Sequence, residues 1–384
     1  MIHYLDYAAT TAVRPPEVAA AMARYVSELG ATPGRGGHRL SVEAGRIVLE
    51  ARRSVAQVLG LPGDAGRVTF GINATQGINT ALQGVLQPGD ALVVTAFDHN
   101  AVLRPAHRLA RDRGVEIRMV PGESDGSLDE DAYAAALQGA RMVVLNAVSN
   151  VLGTRLPVER LAAQARDAGA LVLVDTAQSG GHVPLDLSGA DLVAFTGHKG
   201  LLGPQGTGGL WVREGCPVRP LIQGGTGGDS LDPEMPEAYP DHLEAGTLNG
   251  PGLAGLVAGC RVVAREGVEA IHHRERGLKA RLHDGLSSIP GIRVLSPPDP
   301  RGAGIVTLVS DRTDPASLAH RLDREYGILA RSGLHCAPEA HRLLGTARTG
   351  ALRVSVGWAS VGEDVDRVLR SLDALVRSPV ASSR

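Results

Sequence analysis

Between residues 67 and 212 the chain alternates short apolar runs with segments that carry apolar residues at helical spacing. Strands that are separated by single helices in this way pair in parallel and form a doubly wound sheet. Ligands bind to such a sheet beyond the carboxyl ends of its strands. The polar motifs of this chain follow those ends, so we expect a binding site along that edge. The predicted strands are residues 68–70, 91–95, 116–120, 142–146, 171–175, 192–195 and 209–212.

The second half of the chain predicts a smaller α/β domain. Residues 215–249 are rich in glycine, proline and acids, which indicates a long irregular excursion. A length of 384 residues favours two domains, and we expect a large domain over residues 15–252 and a small domain formed by residues 1–14 and 253–384. Apolar spacing predicts small-domain helices at 253–266, 268–287, 316–326 and 362–376, and strands at 292–295, 304–308, 328–331 and 352–355.

The composition argues against several functional classes. With 43% hydrophobic and 21% charged residues, the chain is typical of a globular protein and not of a disordered one. A net charge of −2 and only 3% aromatic residues provide neither the electrostatic attraction nor the stacking surfaces that favour nucleic-acid binding. No apolar run approaches the ~18 residues that span a membrane, and the N-terminal segment does not resemble a signal peptide. Three cysteines without metal-ligand spacing fit a reducing cytoplasm.

Lys199 lies directly after a predicted strand, in the segment Thr196-Gly197-His198-Lys199. Burial lowers the pKa of a lysine and makes its amine nucleophilic, as a lysine that forms a Schiff base requires. An ordinary loop lysine is the alternative, and Lys199 taken alone would favour it. Asp175 ends the preceding predicted strand. Pyridoxal phosphate needs a lysine for its aldehyde and a carboxylate that faces its pyridinium nitrogen, so this pair favours that cofactor.

Three further polar segments follow predicted strands, and each has a structural alternative. Thr75 lies between a strand and a helix, where backbone N–H groups could face a phosphate or the Thr75 hydroxyl could simply cap the helix. His99 could stack on a flat cofactor ring and transfer protons, or be an exposed residue beside a capping Asp98. Asn150 could bind a ligand oxygen or merely close a turn.

Cys336 and Arg353 are the candidates for substrate chemistry. A lone cysteine is more often a small core residue, but Cys336 follows His335 in a loop that begins with Arg331, so a reactive thiol is the second interpretation. The other two cysteines lack polar neighbours and are expected to be structural. Arg353 lies inside a predicted strand and needs a carboxylate, which either an amino-acid substrate or a structural ion pair would supply.

Taken together, the motifs resemble those of the cysteine desulfurase family within the class V aminotransferases, and the resemblance extends from Tyr4 to about Val376. The pair VDTAQS and TGHK is specific for this superfamily, and RSGLHCAP separates the desulfurases from most relatives. The resemblance implies the type I fold of pyridoxal-phosphate transferases, with a mostly parallel, seven-stranded sheet and a smaller C-terminal α/β domain. The other matching motifs are LDYAATT, ATQGIN, DHNA, SNVLGT and EAGTLN.

The resemblance also implies how the cofactor, pyridoxal 5′-phosphate, would be held. Lys199 would bind its aldehyde and then move protons, and Asp175 would keep the ring nitrogen protonated. His99 would stack on the ring, while Gln178 would contact the phenolic oxygen. The phosphate would be bound by Thr75, the backbone of Gln76, Thr196, His198 and, from the other subunit of a homodimer, Thr247.

For the reaction, the resemblance implies L-cysteine as the substrate, with its carboxylate oriented by Arg353 and Asn150. Cys336 would attack the substrate sulfur, which leaves alanine and a persulfide on the enzyme. The sulfur would then pass to an acceptor thiol or a sulfur-carrier protein, for iron–sulfur or thio-cofactor synthesis or for a more specialised pathway.

Two departures from the family pattern carry predictions of their own. Ala74 precedes Thr75 where many relatives have a second hydroxyl, so one phosphate contact is expected to be absent. The segment around Cys336 is short, which predicts a less mobile cysteine than in relatives with a longer loop here.

Three other functions share most of these features. A selenocysteine lyase or a cysteine C–S lyase of the same fold would need everything except Cys336. A class V aminotransferase or epimerase would leave the RSGLHCAP segment without a purpose. A non-catalytic dimeric scaffold for sulfur-transfer proteins is a more distant alternative, because it has no need of Lys199, Asp175 and His99 together.

Overall fold

The chain opens with a short strand and two helices. The structure, a computed structural model, describes residues 2–34, 36–228 and 230–377. Strand β1 (His3–Tyr4) comes first, followed by helix α1 (Pro16–Arg24), which begins with the proline that a helix start favours. One π-helical turn, Tyr25–Leu29, extends α1 until Gly30 ends it in the left-handed conformation. The long helix α2 (Arg39–Leu59) precedes the first strand of the large sheet.

Seven strands form the large sheet. In chain order its elements are β2 (Val68–Gly71), α3 (Ala74–Val85), β3 (Ala91–Thr95), α4 (Asn100–Arg113), β4 (Glu116–Val120), α5 (Glu130–Leu137), β5 (Met142–Asn146), α6 (Val158–Asp167), β6 (Leu171–Asp175), β7 (Leu192–Thr196) and β8 (Gly208–Val212). The strand order is β2-β8-β7-β6-β5-β3-β4. Neighbours from β7 to β4 are parallel, whereas β8 runs antiparallel to both β7 and β2. The predicted mostly parallel sheet of seven strands is confirmed.

The large sheet is buried on both faces, since its central strands are apolar at nearly every position. Successive residues of a strand point to opposite faces. Val143 and Val193 therefore pack into the cluster that includes α2, α5 and α6, while Val144 and Ala194 pack into the cluster under α3 and α4. Because both faces are covered by helices, polar side chains that follow the strands meet only at the strand ends.

The second half of the chain forms a smaller antiparallel sheet. Its elements are α7 (Gly250–Glu266), α8 (Val268–Ser287), β9 (Ile292–Val294), β10 (Ile305–Ser310), α9 (Pro315–Tyr326), β11 (Ile328–Leu329), β12 (Arg331–Gly333), α10 (Pro338–Leu343), β13 (Ala351–Ser355) and α11 (Gly362–Arg377). The sheet order is β12-β13-β10-β9, and residues of α8, α9 and α11 cover it with apolar side chains. None of the helices in the described ranges combines the length and the apolar character needed to cross a membrane.

Two predictions for this half need correction. The single strand predicted at 328–331 is two strands: β11 pairs in parallel with β1, whereas β12 joins the small sheet. The chain changes partners at Ala330, which a pattern of apolar residues does not reveal. The predicted loop around Cys336 also ends early, because α10 begins at Pro338.

The N-terminal residues pack with the small sheet. Strand β1 pairs with β11, and Asp6 forms a bridge with Ser355 of β13. These contacts support the proposed division into residues 15–252 and a small domain that includes residues 1–14, although residues 378–384 of that domain lie outside the described ranges. The division itself stays a proposal.

A buried ion pair closes the β2 edge of the large sheet. Arg52 of α2 contacts both carboxylate oxygens of Glu244, at 2.6 and 2.7 Å, and both side chains are buried. Glu244 also accepts a hydrogen bond from the backbone N–H of Phe70, and Arg52 donates one to the carbonyl of Val68. Two hydrogen-bonding groups of the edge strand are thus satisfied without another strand. The pair also anchors the irregular excursion between β8 and α7.

Replacing Glu244 with Gln is expected to destabilise the protein, because it leaves the Arg52 guanidinium buried without its counter-ion. Breaking a buried pair in this way costs about 3–5 kcal/mol. Calorimetry should therefore show a thermal unfolding midpoint several degrees below that of the unaltered chain. The control is Glu237→Gln, which removes an exposed charge from the same excursion. Equal midpoints for the two variants would contradict the role of the pair.

Candidate active site

The carboxyl ends of three neighbouring parallel strands bring polar side chains together. Asn146 ends β5, Asp175 ends β6 and Thr196 ends β7. The register places Asn146 directly opposite Asp175. All three line a cavity of about 200 Å³ whose wall also includes Lys199 and Cys336. The predicted edge of the sheet therefore carries the candidate site.

Lys199 lies just beyond β7 and is half-buried in this cavity. Burial lowers the pKa of its amine to about 8; the Asp175 carboxylate opposes this shift, and the guanidinium groups of Arg353 and Arg331 add to it. At neutral pH about a tenth of such an amine is unprotonated, against less than about one in a thousand for an ordinary lysine. These surroundings favour the nucleophilic form that the sequence predicts.

Two buried carboxyl groups, Asp175 and Asp98, lie close enough to interact. Asp175 accepts a hydrogen bond from the backbone N–H of Ala177 at 2.9 Å, and burial raises its pKa. Asp98 accepts one from the backbone N–H of Thr95 at 2.6 Å; burial raises its pKa to about 8, and the charge of Asp175 contributes to the increase. A cation placed against Asp175 would favour its ionised form, as a pyridinium nitrogen does.

The first turn of α3 lines the cavity, but its cap differs from the predicted one. Asn73 is the N-cap, because its side-chain oxygen accepts a hydrogen bond from the backbone N–H of Gln76 at 3.0 Å. The alternative in which Thr75 caps the helix is therefore wrong, and Thr75 is exposed on the cavity wall. The Gln76 N–H that the resemblance assigns to a phosphate already has a partner. Gly77 lets α3 approach β8, since a Cβ there would lie 2.5 Å from the carbonyl oxygen of Gly209.

His99 and His198 are half-buried imidazoles on the cavity wall. Burial lowers the pKa of each ring to about 4, and the charge of Lys199 contributes to both shifts. His99 caps α4, because its Nδ1 accepts a hydrogen bond from the backbone N–H of Ala101 at 3.0 Å. Nδ1 of His198 lies 3.0 Å from the Thr10 hydroxyl. A neutral ring at His99 suits stacking on a flat cofactor, and that role stays a prediction.

Gln178 and Thr247, both predicted to bind the cofactor, lie in different places. Gln178 is buried, lines the cavity and donates a hydrogen bond from Nε2 to the carbonyl of Ala8 at 2.9 Å. Thr247 is exposed in the irregular excursion, outside the set of residues that line this cavity. A contact between Thr247 and a cofactor would therefore need a second subunit.

Arg353 is among the largest fully buried side chains and connects three segments of the chain. It pairs with Asp6 at 2.9 Å and donates a hydrogen bond to the carbonyl of Asn150 at 3.0 Å. The structural ion pair that the sequence left open is therefore present. Arg353 also lines the cavity, and its buried Nε has no partner within the described ranges. One part of the guanidinium thus stabilises the fold while the remaining N–H can bind a carboxylate.

Cys336 is exposed and occupies a tight turn between β12 and α10. His335 and Cys336 are both left-handed, with φ of 49° and 58°, a conformation that costs about 1–2 kcal/mol per non-glycine residue. Two hydrogen bonds hold them: the Asn150 side chain donates to the His335 carbonyl at 2.6 Å, and the Asn100 N–H donates to the Cys336 carbonyl at 2.7 Å. Cys336 lines both the cavity and a wider groove along α4. These anchors support the prediction of a less mobile cysteine.

Several buried polar atoms at or beside the cavity have no hydrogen-bond partner in the part of the chain that the structure describes. Such atoms are uncommon in folded proteins, and each costs about 1–3 kcal/mol when it stays unpaired. The Thr196 hydroxyl and the Arg353 Nε–H can each donate to an oxyanion, which fits the phosphate of a phosphorylated pyridine and an amino-acid carboxylate. The residues therefore fit pyridoxal phosphate. The atoms are Asp98 Oδ1, Asn150 Oδ1, Thr196 Oγ1 and Arg353 Nε.

Three residues that position the site were not predicted. Asp6 pairs with Arg353, and Asn73 caps α3. Asn146 donates a hydrogen bond to the carbonyl of Phe97 at 2.8 Å. Asn146 carries a usable signal, because it ends an apolar strand as Asp175 does. Asp6 offers no comparable signal, since its partner lies in the last strand of the chain.

The comparisons with known proteins agree with this fold. The family model for class V aminotransferases matches residues 3–368. A probable cysteine desulfurase of Methanothermobacter thermautotrophicus is 37% identical over 384 aligned residues, which cover 97% of this chain and 94% of the relative. A cysteine desulfurase of Cereibacter sphaeroides is 33% identical, with coverage of 97% and 95%.

Solved structures give the same result. The apo structure of a cysteine desulfurase from Thermococcus onnurineus superposes with a TM-score of 0.90 at 33% identity, covering 98% of this chain and 95% of that one. The Escherichia coli cysteine desulfurase CsdA, solved in an S-sulfonic acid form, superposes with a TM-score of 0.86 at 28% identity and covers 97% and 94%.

We expect the Lys199 amine of the cofactor-free protein to titrate near pH 8. Competitive acetylation across pH, read by mass spectrometry, measures this directly, because Lys199 and Lys279 are the only lysines in the sequence. Asp175→Asn should lower the Lys199 midpoint, since the carboxylate raises the pKa of the amine. Lys279, whose pKa burial also lowers to about 8, is the internal control that should not respond. A Lys199 midpoint that does not change in Asp175→Asn would contradict the coupling.

Proposed function

Because this chain belongs to the class V aminotransferase family, whose members in general depend on pyridoxal phosphate, we propose that it is a pyridoxal-phosphate-dependent cysteine desulfurase. One observation carries the proposal: a single cavity contains the Lys199 amine, the Asp175 carboxylate and the Cys336 thiol. The amine and the carboxylate suit many reactions of this family. The thiol is a nucleophile that sulfur transfer requires and transamination does not.

Pyridoxal phosphate, when bound, supplies an electron sink for bonds at the substrate α- and β-carbons. Lys199 would bind its aldehyde and, with part of its amine unprotonated at neutral pH, would transfer a proton at the substrate α-carbon. Asp175 would keep the ring nitrogen protonated from its buried position. The phosphate would be held by Thr75, Thr196 and His198, with Gln76 contributing only if its N–H is shared with Asn73, and the ring by His99 and Gln178.

The substrate carboxylate would bind between Arg353 and Asn150. Arg353 offers a buried Nε–H, a charged donor, and its orientation is fixed by the ion pair with Asp6. The Asn150 side chain donates one amide hydrogen to the His335 carbonyl, and its second amide hydrogen would donate to the carboxylate. Asn150 therefore connects the substrate-binding region with the turn that carries Cys336.

Cys336 would perform the sulfur transfer. Its sulfur attacks the substrate sulfur, so an S–S bond forms and the Cβ–S bond of the substrate breaks. The carbon fragment takes up the proton that the thiol loses and leaves as alanine, while the enzyme retains a persulfide. Lys199, on the same cavity wall, would return the α-proton. No oxidant or reductant is consumed in this step.

The persulfide would then be accessible from outside. Cys336 is exposed and also lines the groove along α4, whose wall carries Arg104, Arg108 and Arg111. An acceptor thiol, either free or on a sulfur-carrier protein, would approach from that side. The cavity on the other side would remain available for the next L-cysteine.

A selenocysteine lyase or a cysteine C–S lyase is the second candidate. It would use the same cofactor residues and the same carboxylate site, and Cys336 would not be needed. The anchored, left-handed turn at Cys336 favours the desulfurase, because a thiol with no role would not require a strained and well-fixed position.

Replacing Cys336 with Ala is expected to abolish formation of alanine from L-cysteine while preserving cofactor binding. The purified, reconstituted variant should keep a visible absorption band near ~420 nm, whereas alanine and thiol-released sulfide should both disappear. The matched control is Cys260→Ala, which removes a buried thiol outside the cavity and should retain turnover. Unchanged cysteine turnover in Cys336→Ala would favour the lyase. A missing absorption band in the unaltered protein would contradict the roles of Lys199 and Asp175.

If Thr247 completes the phosphate site of the partner subunit in a homodimer, two inactive variants should restore activity when they are mixed. Lys199→Ala removes the cofactor lysine, and Thr247→Glu places a negative charge against the phosphate. Random reassociation after mild dissociation makes about half of the dimers mixed, each with one intact site, so about a quarter of the activity should return. Thr247→Ser, which keeps the hydroxyl, is the active control. Absence of recovery in a mixture that light scattering shows to be dimeric would place Thr247 in its own chain's site, and an active Thr247→Glu variant would place it in none.

A further inference from the structure

A chain of hydrogen bonds runs behind Cys336 through two buried histidines. The rings of His335 and His341 are stacked with their centroids 5.4 Å apart, and Nδ1 of His335 lies 3.2 Å from Nε2 of His341. Nδ1 of His341 lies 2.8 Å from the Thr346 hydroxyl. At the other end, Nε2 of His335 lies 3.2 Å from the carbonyl oxygen of Arg331. The proposed reaction uses none of these ring nitrogens.

The carbonyl of Arg331 can only accept a hydrogen bond. This fixes the donor and the acceptor of each hydrogen bond between Arg331 and Thr346. His335 must donate through Nε2, so its Nδ1 is the acceptor in a neutral ring. His341 then donates its Nε2 proton to His335, and its own Nδ1 accepts from the Thr346 hydroxyl. Burial lowers the pKa of His335 to about 3 and that of His341 to about 4, which agrees with two neutral rings.

The position of His341 explains how it reaches the turn. Helix α10 begins at Pro338, directly after the turn, and His341 lies in its first turn with no exposed surface. Its carbonyl accepts a hydrogen bond from the Thr346 N–H at 2.8 Å, so Thr346 is held against the same residue twice. A residue that only filled this space would be apolar, because a buried ring nitrogen without a partner is destabilising.

We propose that His341 is a positioning residue for Cys336, acting through the ring of His335. The Asn150 side chain fixes the backbone of His335, and the hydrogen bond from His341 fixes the His335 ring. Both the backbone and the side chain of this left-handed residue, which precedes Cys336, are therefore held in place. The Cys336 thiol is thereby kept on the wall that the cavity shares with the outer groove. His341 does not line either space, and this inference rests on the proposed desulfurase function.

The test compares His341→Leu with the unaltered holoenzyme in two measurements. The first is steady-state alanine formation, where kcat is expected to fall about tenfold or more, because a small displacement of a reacting group has a large effect on rate. KM is expected to change by less than about a factor of three, since the carboxylate site is intact. The second is the rate of Cys336 alkylation by iodoacetamide in the cofactor-free protein, which is expected to rise as the turn loosens. The other two cysteines are buried, so the fast-reacting thiol is identifiable.

Two further variants show whether the hydrogen bonds or the volume matter. His341→Gln places an amide donor where Nε2 donates to His335, and should recover part of kcat. Thr346→Val removes the hydroxyl from the far end of the chain and should cause a smaller loss in the same direction, whereas Thr346→Ser should be silent. The control for general destabilisation is His283→Leu. It removes a ring of α8, away from the turn, whose Nε2 lies 3.0 Å from the Ser296 carbonyl.

Histidine ¹⁵N chemical shifts test the series of hydrogen bonds through His335 and His341 without requiring enzyme turnover. Both rings should show the neutral form protonated at Nε2, unchanged between about pH 6 and 8. A ring protonated at Nδ1, or a titration in that range, would overturn the assigned direction. If His341→Leu keeps kcat and the alkylation rate and lowers only the unfolding midpoint, as His283→Leu would, the positioning role is wrong. If the unaltered chain forms no alanine from L-cysteine, the proposed function fails instead, while the alkylation rates and ¹⁵N shifts still report on the turn.

Discussion

The register of three parallel strands determines where the reactive groups of this protein lie. Asn146 is opposite Asp175, so β5 and β6 end at the same level, whereas β7 continues past Ala194, the partner of Asp175, to Thr196. A slip of one residue would turn Asp175 to the other face of the sheet. That slip is prevented by the apolar residues that alternate between two helix-covered faces. The location of the site at this edge of the sheet is therefore a consequence of core packing.

The charges in the cavity depend on one another in a way that joins the two ends of the chain. Arg353 is almost fully buried, and its guanidinium would be strongly destabilising there without Asp6, which comes from the N-terminal segment. The same arginine lowers the pKa of Lys199, whereas Asp6 and Asp175 oppose that shift. The first residues of the chain thus adjust the protonation of a lysine in the large sheet. The packing of residues 1–14 with the small sheet has an electrostatic consequence as well as a structural one.

Sequence patterns predicted what local spacing controls and missed what depends on contacts between distant segments. The seven strands, the helices between them and the polar residues at the strand ends follow from periodicity and burial, so Asp175 and Lys199 could be placed at one edge. Capping of α3 by Thr75 was one of two alternatives that the sequence left open, and it is wrong, because Asn73 and Thr75 are both suitable caps and only the backbone conformation decides. The Asp6–Arg353 pair joins residues at opposite ends of the chain, and no periodicity reports such a pair.

The turn at Cys336 shows how one fixed side chain can line both the cavity and the groove along α4. A mobile loop would have to be ordered in each cycle, at a cost of about 1–2 kcal/mol for every residue that becomes fixed. Here the left-handed conformation of His335 and Cys336 is stabilised during folding by Asn150 and by the backbone of Asn100. Cys336 already lines both the cavity and the outer groove, so in the proposed reaction neither receiving sulfur nor presenting it would require a large movement. In that reaction, an acceptor thiol would approach Cys336 along the surface of α4.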